Sequence, residues 1–253
     1  MSSRPYPLLQ TLLMAGLGLF LAEKIWSGAI FFYINERFLP LIVFGAAAAL
    51  ALAAGAAWRW RRPAAEHVHA PGEAGHVHAP ARLPVWTVAL VALPLLLGVL
   101  VPARPLGASA LARQGLNTAG SSVPAGGAGA AVRLDLAPQD RTILDWARAF
   151  NYAETPAQFD GQPADVVGFV YHNPVLPAGQ FMVSRFIVTC CAADASGVAL
   201  LVAWPEAAAL AENAWVRVRG PVRAAELNGQ PIPLILAETV EPTDQPEHPY
   251  MYP

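Results

Sequence analysis

The chain is patterned in two ways: long uncharged stretches come first, and shorter apolar runs broken by Pro, Gly, Asn and Asp follow. Residues 5–22, 38–58 and 83–103 carry no charge, over eighteen, twenty-one and twenty-one positions. At about 1.5 Å of helix rise per residue, each crosses or nearly crosses a hydrocarbon layer of about 30 Å. The pattern therefore predicts two to three N-terminal transmembrane helices. The first stretch meets Glu23 and Lys24, and a second apolar run continues to Ile34. Either the helix runs on with an ion pair inside it, or it bends at Ser27-Gly28 into an interfacial segment. Trp26, Phe31, Phe32 and Tyr33 favour the bend, because aromatic side chains prefer the headgroup zone. A cleaved signal peptide, with Arg4 before an apolar stretch at 8–22, is the competing reading, and no convincing small-x-small site precedes the charges.

Residues 105–131 are dominated by Gly, Ala and Ser without helical or strand period, which reads as a flexible tether. Leu136, Ile143, Leu144, Ala147 and Phe150 then recur at spacings near three and four, so a short amphipathic helix is expected over 136–150. Five strand-like runs follow, at 164–171, 181–190, 198–204, 215–222 and 234–240, with a short helix expected at 206–212. A helix between the third and fourth of five strands is the order of an OB-type barrel. The expected organisation is a membrane-anchored α + β protein: two transmembrane or interfacial helices (1–58), a His-containing loop (59–82), a third helix (83–103), a flexible linker (104–134) and a soluble five-stranded OB-like β-barrel domain (135–253).

Composition sharpens this reading. Only 13% of the residues are charged and 55% are hydrophobic, which argues against both a wholly water-soluble globule and intrinsic disorder. Residues 1–131 hold nine Lys/Arg against four Asp/Glu, while 132–253 hold seven Arg against fourteen Asp/Glu. A basic first half suits membrane, and an acidic second half does not suit nucleic acid. Arg59, Arg61, Arg62 and Arg82 gather between the second and third spans. The positive-inside rule puts that loop in the cytoplasm and, with three spans, the C-terminal domain on the extracytoplasmic side of the membrane.

Two groups of residues suggest metal chemistry. His67, His69, His76 and His78 form a near repeat in the cytoplasmic loop. Neutral imidazoles are common ligands for Zn²⁺, and a loose loop would bind weakly; a solvated spacer is the plain alternative. Cys190 and Cys191 are the only cysteines and are adjacent. On a regular strand they point apart, so they can share one ion only if the strand ends in a turn, which Ala192-Ala193-Asp194 permits. A disulfide between them would be strained, since neighbouring Cα atoms lie about 3.8 Å apart against the usual 4.4–6.8 Å. Three readings stay open: a small core residue with an incidental neighbour, a redox pair, or a soft or borderline divalent cation such as Zn²⁺ held by Cys190, Cys191 and Asp194, with His172 or His248 brought in by folding. Arg185, in an otherwise apolar run, is expected to pair with Asp194 or Asp165, or to meet an anionic ligand. Trp204 and Trp215 read as core, and Pro249 to Tyr252 as an extended end that packs back or enters a partner groove.

The run from Phe181-Met182-Val183-Ser184-Arg185-Phe186 through Cys190-Cys191-Ala192-Ala193-Asp194-Ala195 resembles the YcgQ-like family of bacterial membrane proteins. So do Trp215-Val216-Arg217-Val218-Arg219-Gly220, the terminal Pro249-Tyr250-Met251-Tyr252, Tyr33-Ile34 with Arg37, the His-rich loop, and Leu93-Pro94 through Gly98 followed by Val101-Pro102 and Pro105-Leu106-Gly107. The resemblance covers nearly the whole chain. It implies an accessory subunit of a predicted polytopic permease, of the broad class that includes organoarsenical exporters. The chain departs from the family near Asn35-Glu36, where the resemblance leads one to expect His-Pro, and any role resting on that His is open here.

No nucleophile with base and orienter, phosphate loop or spaced carboxylate pair stands out, so a catalytic role is not expected. Three spans are also few for a self-contained transport path. The expectation is a permease subunit that captures or senses a metal cation or related solute. The alternative is a binding or scaffold module of the cell envelope.

Overall fold

The computed structural model of the chain describes residues 5–61, 85–114, 136–227 and 229–252. Helices α1 (Pro5–Trp26), α2 (Leu39–Arg61) and α3 (Val85–Leu100) gather in one compact unit. The segment Phe31–Glu36, together with the chain from Pro105 onward, forms a second.

Among the described residues two helices, Pro7–Trp26 and Glu36–Arg61, are long and apolar enough to span a hydrocarbon layer. The first contains Glu23 and Lys24, paired at 3.0 Å, and ends at Trp26. The turn that follows uses Gly28 at φ +72°, a left-handed conformation that glycine adopts without cost. The internal ion pair and the break at Ser27-Gly28, set as alternatives from sequence, therefore coexist. Of the aromatic residues expected in the headgroup zone, Trp26 is 93% exposed, and Phe31, Phe32 and Tyr33 belong to the sheet unit. The third expected span is shorter than its uncharged stretch. Helix α3 has sixteen residues with Pro94 inside it, about 24 Å of rise.

Of the expected tether, the described part is anchored rather than free. Helix α4 (Ala108–Gln114) buries Ala108 and Leu111 against the sheet, and the Leu106 and Ala108 amides donate to Tyr250 Oη (2.9 Å) and Asn213 Oδ1 (2.7 Å). The expected helix at 136–150 begins later, as α5 (Ile143–Tyr152), after a single turn at Pro138–Asp140. A capping box sets that start: the Asp145 amide donates to Thr142 Oγ1, and the Thr142 amide to Asp145 Oδ2.

Seven strands make one mixed sheet: β1 (Pro163–Tyr171), β2 (Gln180–Ile187), β3 (Ser196–Ala203), β4 (Trp215–Leu227), β5 (Gln230–Leu236), β6 (Thr239–Pro242) and β7 (Tyr250–Met251). Strand β1 pairs with β2 and β4, β2 with β3, β3 with β5 and β5 with β4, so the pairing order β1-β2-β3-β5-β4 returns to β1. The long β4 serves three partners, β1 along 215–221, β6 along 216–219 and β5 along 222–227. Gly220 sits at that change, where any Cβ would run into the Leu236 carbonyl.

Three sequence expectations are corrected here. Strand β2 stops at Ile187, short of the cysteines. The run at 234–240 is split between β5 and β6, because the Ala237 and Glu238 amides turn from the β3 edge to Arg219. The helix expected at 206–212 is one tight turn, Ala207–Ala209, since so short a segment gains too few bonds to repay nucleation.

Both faces of β1–β3 are covered. Phe181, Val183, Val198, Leu200 and Val202 pack with Trp146 and Phe150 of α5. Met182, Phe186, Ala199 and Leu201 pack on the other side with Leu111 and Tyr250. Double burial explains why these strands read as nearly continuous apolar runs.

Candidate functional site

Beyond Ile187 the chain leaves the ladder as an extended loop and closes in one tight turn, Ala192–Asp194. That turn meets the condition under which neighbouring cysteines can cooperate. The Cys190 and Cys191 Sγ atoms lie 3.6 Å apart, and these two sulfurs and an Asp194 carboxylate oxygen are all within 4.8 Å of one another. Cys190 is exposed and Cys191 half-exposed.

Asp194 organises the loop. Its Oδ1 accepts from the Thr189 amide (2.9 Å), its Oδ2 from the Cys190 amide (2.7 Å), and its own amide donates to the Cys191 carbonyl (3.0 Å). Burial raises its pKa, but hydrogen bonds from the Cys190 thiol and from the Cys190 and Thr189 amides outweigh that, and the carboxyl is held below its ordinary value. The same carboxylate, with Cys191 behind it, pushes the Cys190 thiol up to about 11. In the metal-free site the Cys190 thiol therefore keeps its proton beside a carboxylate, and a cation must displace that proton to bind the sulfur.

The far side of the loop rests on the connection between α1 and α2. Ile34 and Cys191 form an antiparallel bridge. The Asn35 amide donates to the Cys190 carbonyl (3.0 Å) and the Ala192 amide to the Tyr33 carbonyl (2.8 Å). Asn35, 4% exposed, extends Nδ2 to the carbonyls of Val188 (3.3 Å) and Thr189 (3.0 Å). Sequence reasoning did not place Asn35 at the cysteines. Its one signal was that the family resemblance leads one to expect a different residue there.

The other sequence candidates fall elsewhere. His67, His69, His76 and His78 lie outside the described residues. His172 Nε2 lies 2.9 Å from the Leu210 carbonyl, and the His248 ring meets Phe31 edge-on at 4.5 Å; neither joins the cysteine group. Arg185 pairs with neither expected carboxylate. Asp194 is engaged by its own loop, and Asp165 is taken by Arg217 (2.6 Å) and Arg219 (3.1 Å). Arg185 instead donates Nε to the Pro249 carbonyl (3.0 Å) and Nη2 to that of His248 (2.6 Å), and lies over the Trp215 ring at 5.4 Å. Burial draws its pKa down to about 10. It thereby fixes the C-terminal strand, which packs back on its own sheet: β7 runs parallel to β2, with Phe186 opposite Tyr250.

Two thiols and a carboxylate make three donors of the kind that a soft or borderline cation takes in tetrahedral coordination, with a fourth position left to water or a second donor. The surrounding molecule is of the class that joins apolar, membrane-length helices to a folded mixed-sheet domain. Residues 9–117 match the DUF1980 N-terminal domain and residues 144–253 the DUF1980 C-terminal domain, and the chain belongs to this family, the YcgQ-like proteins. It is 26% identical, over 97% of its length and 99% of the relative's, to a Streptococcus mutans protein named "Putative two-component membrane permease complex subunit". It is 27% identical to the UPF0703 protein YcgQ of Bacillus subtilis over 41% of this chain and 36% of that one. The two apolar helices and the permease-complex relative together support membrane association.

Proposed function

We propose that the chain is a membrane-anchored accessory subunit of a permease, whose extracytoplasmic domain captures or senses a soft or borderline divalent cation such as Zn²⁺ at Cys190, Cys191 and Asp194. The observation that carries the site is the gathering of these three donors within 4.8 Å on an accessible loop. An exposed Cys190 gives little support to the alternative of a small core residue. The role is one of binding rather than catalysis. The circular pairing order supports an OB-like barrel for this domain. The outer face of β2 and β3, which many such domains offer to ligands, is here covered by Leu111, Phe169 and Tyr250, so binding is referred to the rim where the cysteines lie.

Chain connectivity supports the side of the membrane. Phe31–Glu36, before α2, belongs to the sheet unit, whereas Arg59 and Arg61 end α2. If α2 crosses and its basic end is cytoplasmic, the sheet domain is outside. The His67, His69, His76 and His78 loop would then be a separate, weaker site inside. The membrane partner is proposed to be a polytopic permease, by analogy with the Streptococcus mutans relative's name.

The test is affinity purification of the full-length chain in detergent from its native membrane, followed by metal analysis. A co-purifying polytopic permease and bound metal that is lost in the Cys190→Ser/Cys191→Ser double variant support the reading. A permease partner without metal leaves a scaffold subunit, and neither result leaves an envelope scaffold.

A further inference from the structure

Past Val188, whose amide still donates to the Met251 carbonyl, the loop that carries the two thiols has left the β2–β3 ladder, so its remaining backbone groups must be met by something else. They are met from two sides. Asp194 takes the Thr189 and Cys190 amides. Asn35 takes the carbonyls: Nδ2 donates to Val188 and Thr189, and the backbone amide to Cys190. Three consecutive carbonyls thus end on one buried residue from a part of the chain more than 150 positions away. An asparagine is suited to this because its short side chain carries two amide hydrogens beside its own backbone N–H. On a regular strand the sulfurs of adjacent cysteines would face opposite ways; here they lie 3.6 Å apart.

We infer that Asn35 is the positioning residue of the dithiol. Its amide holds the backbone of Val188 to Cys190 in the one conformation that sets both sulfurs on the same side, and so couples the state of the dithiol to the connection between α1 and α2. The nature of the cation rests on the reading above, while the facing of the two thiols does not. The coupling is reciprocal by linkage: whatever favours paired sulfurs favours seating of Tyr33 to Asn35, and the reverse. Asn35 is followed by one tight turn, Glu36–Phe38, and α2 begins at Leu39. A change at the dithiol is therefore delivered within a few residues to the start of a membrane-length helix. The Tyr250 hydroxyl, donating to the Phe32 carbonyl (3.1 Å), holds the other end of the same segment to the C-terminal strand.

The test uses the full-length chain in detergent, wild type beside Asn35→Ala and Asn35→Asp. The aspartate keeps the size but turns the two donors into acceptors facing carbonyls. Phenylarsine oxide bridges two thiols only when they face one another, and Cd²⁺ reports thiolate coordination by its ultraviolet charge-transfer absorption. Tryptophan fluorescence, to which Trp146, Trp204 and Trp215 of the sheet domain contribute, monitors folding. Expected are one bridged arsenical per wild-type chain, bridging lost in both variants, Cd²⁺ affinity lowered about ten-fold or more, and unchanged fluorescence. Should a variant misfold, hydrogen exchange on the folded wild type decides: arsenical bridging should slow exchange at the Asn35 amide, with no such slowing in Cys190→Ser/Cys191→Ser. Variants that bridge as wild type does, a wild type that does not bridge, or unslowed exchange overturn the inference. A wild type that bridges but ignores Cd²⁺ sinks the metal reading, while the role of Asn35 is still decided by the arsenical arms.

Discussion

At the cysteine pair, the protonation state sets what binding must do. With the Cys190 thiol pushed up to about 11 by Asp194 and Cys191, and the Asp194 carboxyl held below its ordinary value, the carboxylate is already ionised at neutral pH and the thiol is not. A cation that uses the thiol must release its proton, so apparent affinity should rise about ten-fold per pH unit for each proton displaced. Zn²⁺ titration of the full-length chain at about pH 6.5, 7.5 and 8.5 checks this. A flat profile would mean binding through Asp194 alone. Cys190→Ser/Cys191→Ser should remove the tighter class of sites and leave a weaker one, and replacing the four loop histidines by Ala should do the reverse. The motif was legible because two thiols and a carboxylate within five positions are a dense local signal. Asn35 was not, because its partners lie far along the chain. Nor was the true partner of Arg185, since a backbone carbonyl leaves no mark on sequence.

The elements were legible where one force dominates. Strands β1 to β4 were found from apolar runs bounded by turn residues, and double burial made those runs long. Their ends were set by partners instead: β2 stops at Ile187, where the cysteine loop leaves the ladder, and α5 starts at its capping box rather than at the first apolar position. The junction of β1, β4 and β6 gives a prediction at this scale. Asp165, gripped first by the Arg217 side chain and also by Arg219, has its pKa lowered from 3.8 despite partial burial. A depressed carboxyl contributes stability that is present above its unfolded value and lost as pH falls through the lower folded value. Both arginines are more than a third exposed, so solvent screening keeps the effect small, about 1 kcal/mol or less for Asp165→Asn at neutral pH. Urea unfolding should show a difference between wild type and variant at neutral pH that vanishes in acid. Gly220→Ala should cost more, about 1–3 kcal/mol, because the added carbon meets the Leu236 backbone rather than a movable side chain.

For the whole molecule the question is the side on which the sheet domain sits, and two features taken together bear on it. The first is the arginine bias: Arg59 and Arg61 close α2, and Arg62 and Arg82 continue the same basic loop, which the positive-inside rule puts in the cytoplasm. The second is that the other end of α2 is preceded by Phe31–Glu36, which folds with the sheet. If α2 crosses, a sheet domain joined to both Glu36 and Pro105 requires α3 to return across the membrane, although its helix is only sixteen residues and carries Pro94. Flanking residues and local thinning of the bilayer can make up so short a span. The prediction is that a reporter fused after Pro253 reads as extracytoplasmic, and one inserted at Gly72 as cytoplasmic. A third insertion at Gly107, on the sheet side of α3, should agree with the first. If the Gly72 and Pro253 fusions report the same side, α3 does not cross, and the pairing of Ile34 with Cys191 would then have to form without α2 crossing either. If all three invert together, the crossings stand and the arginine bias is what fails.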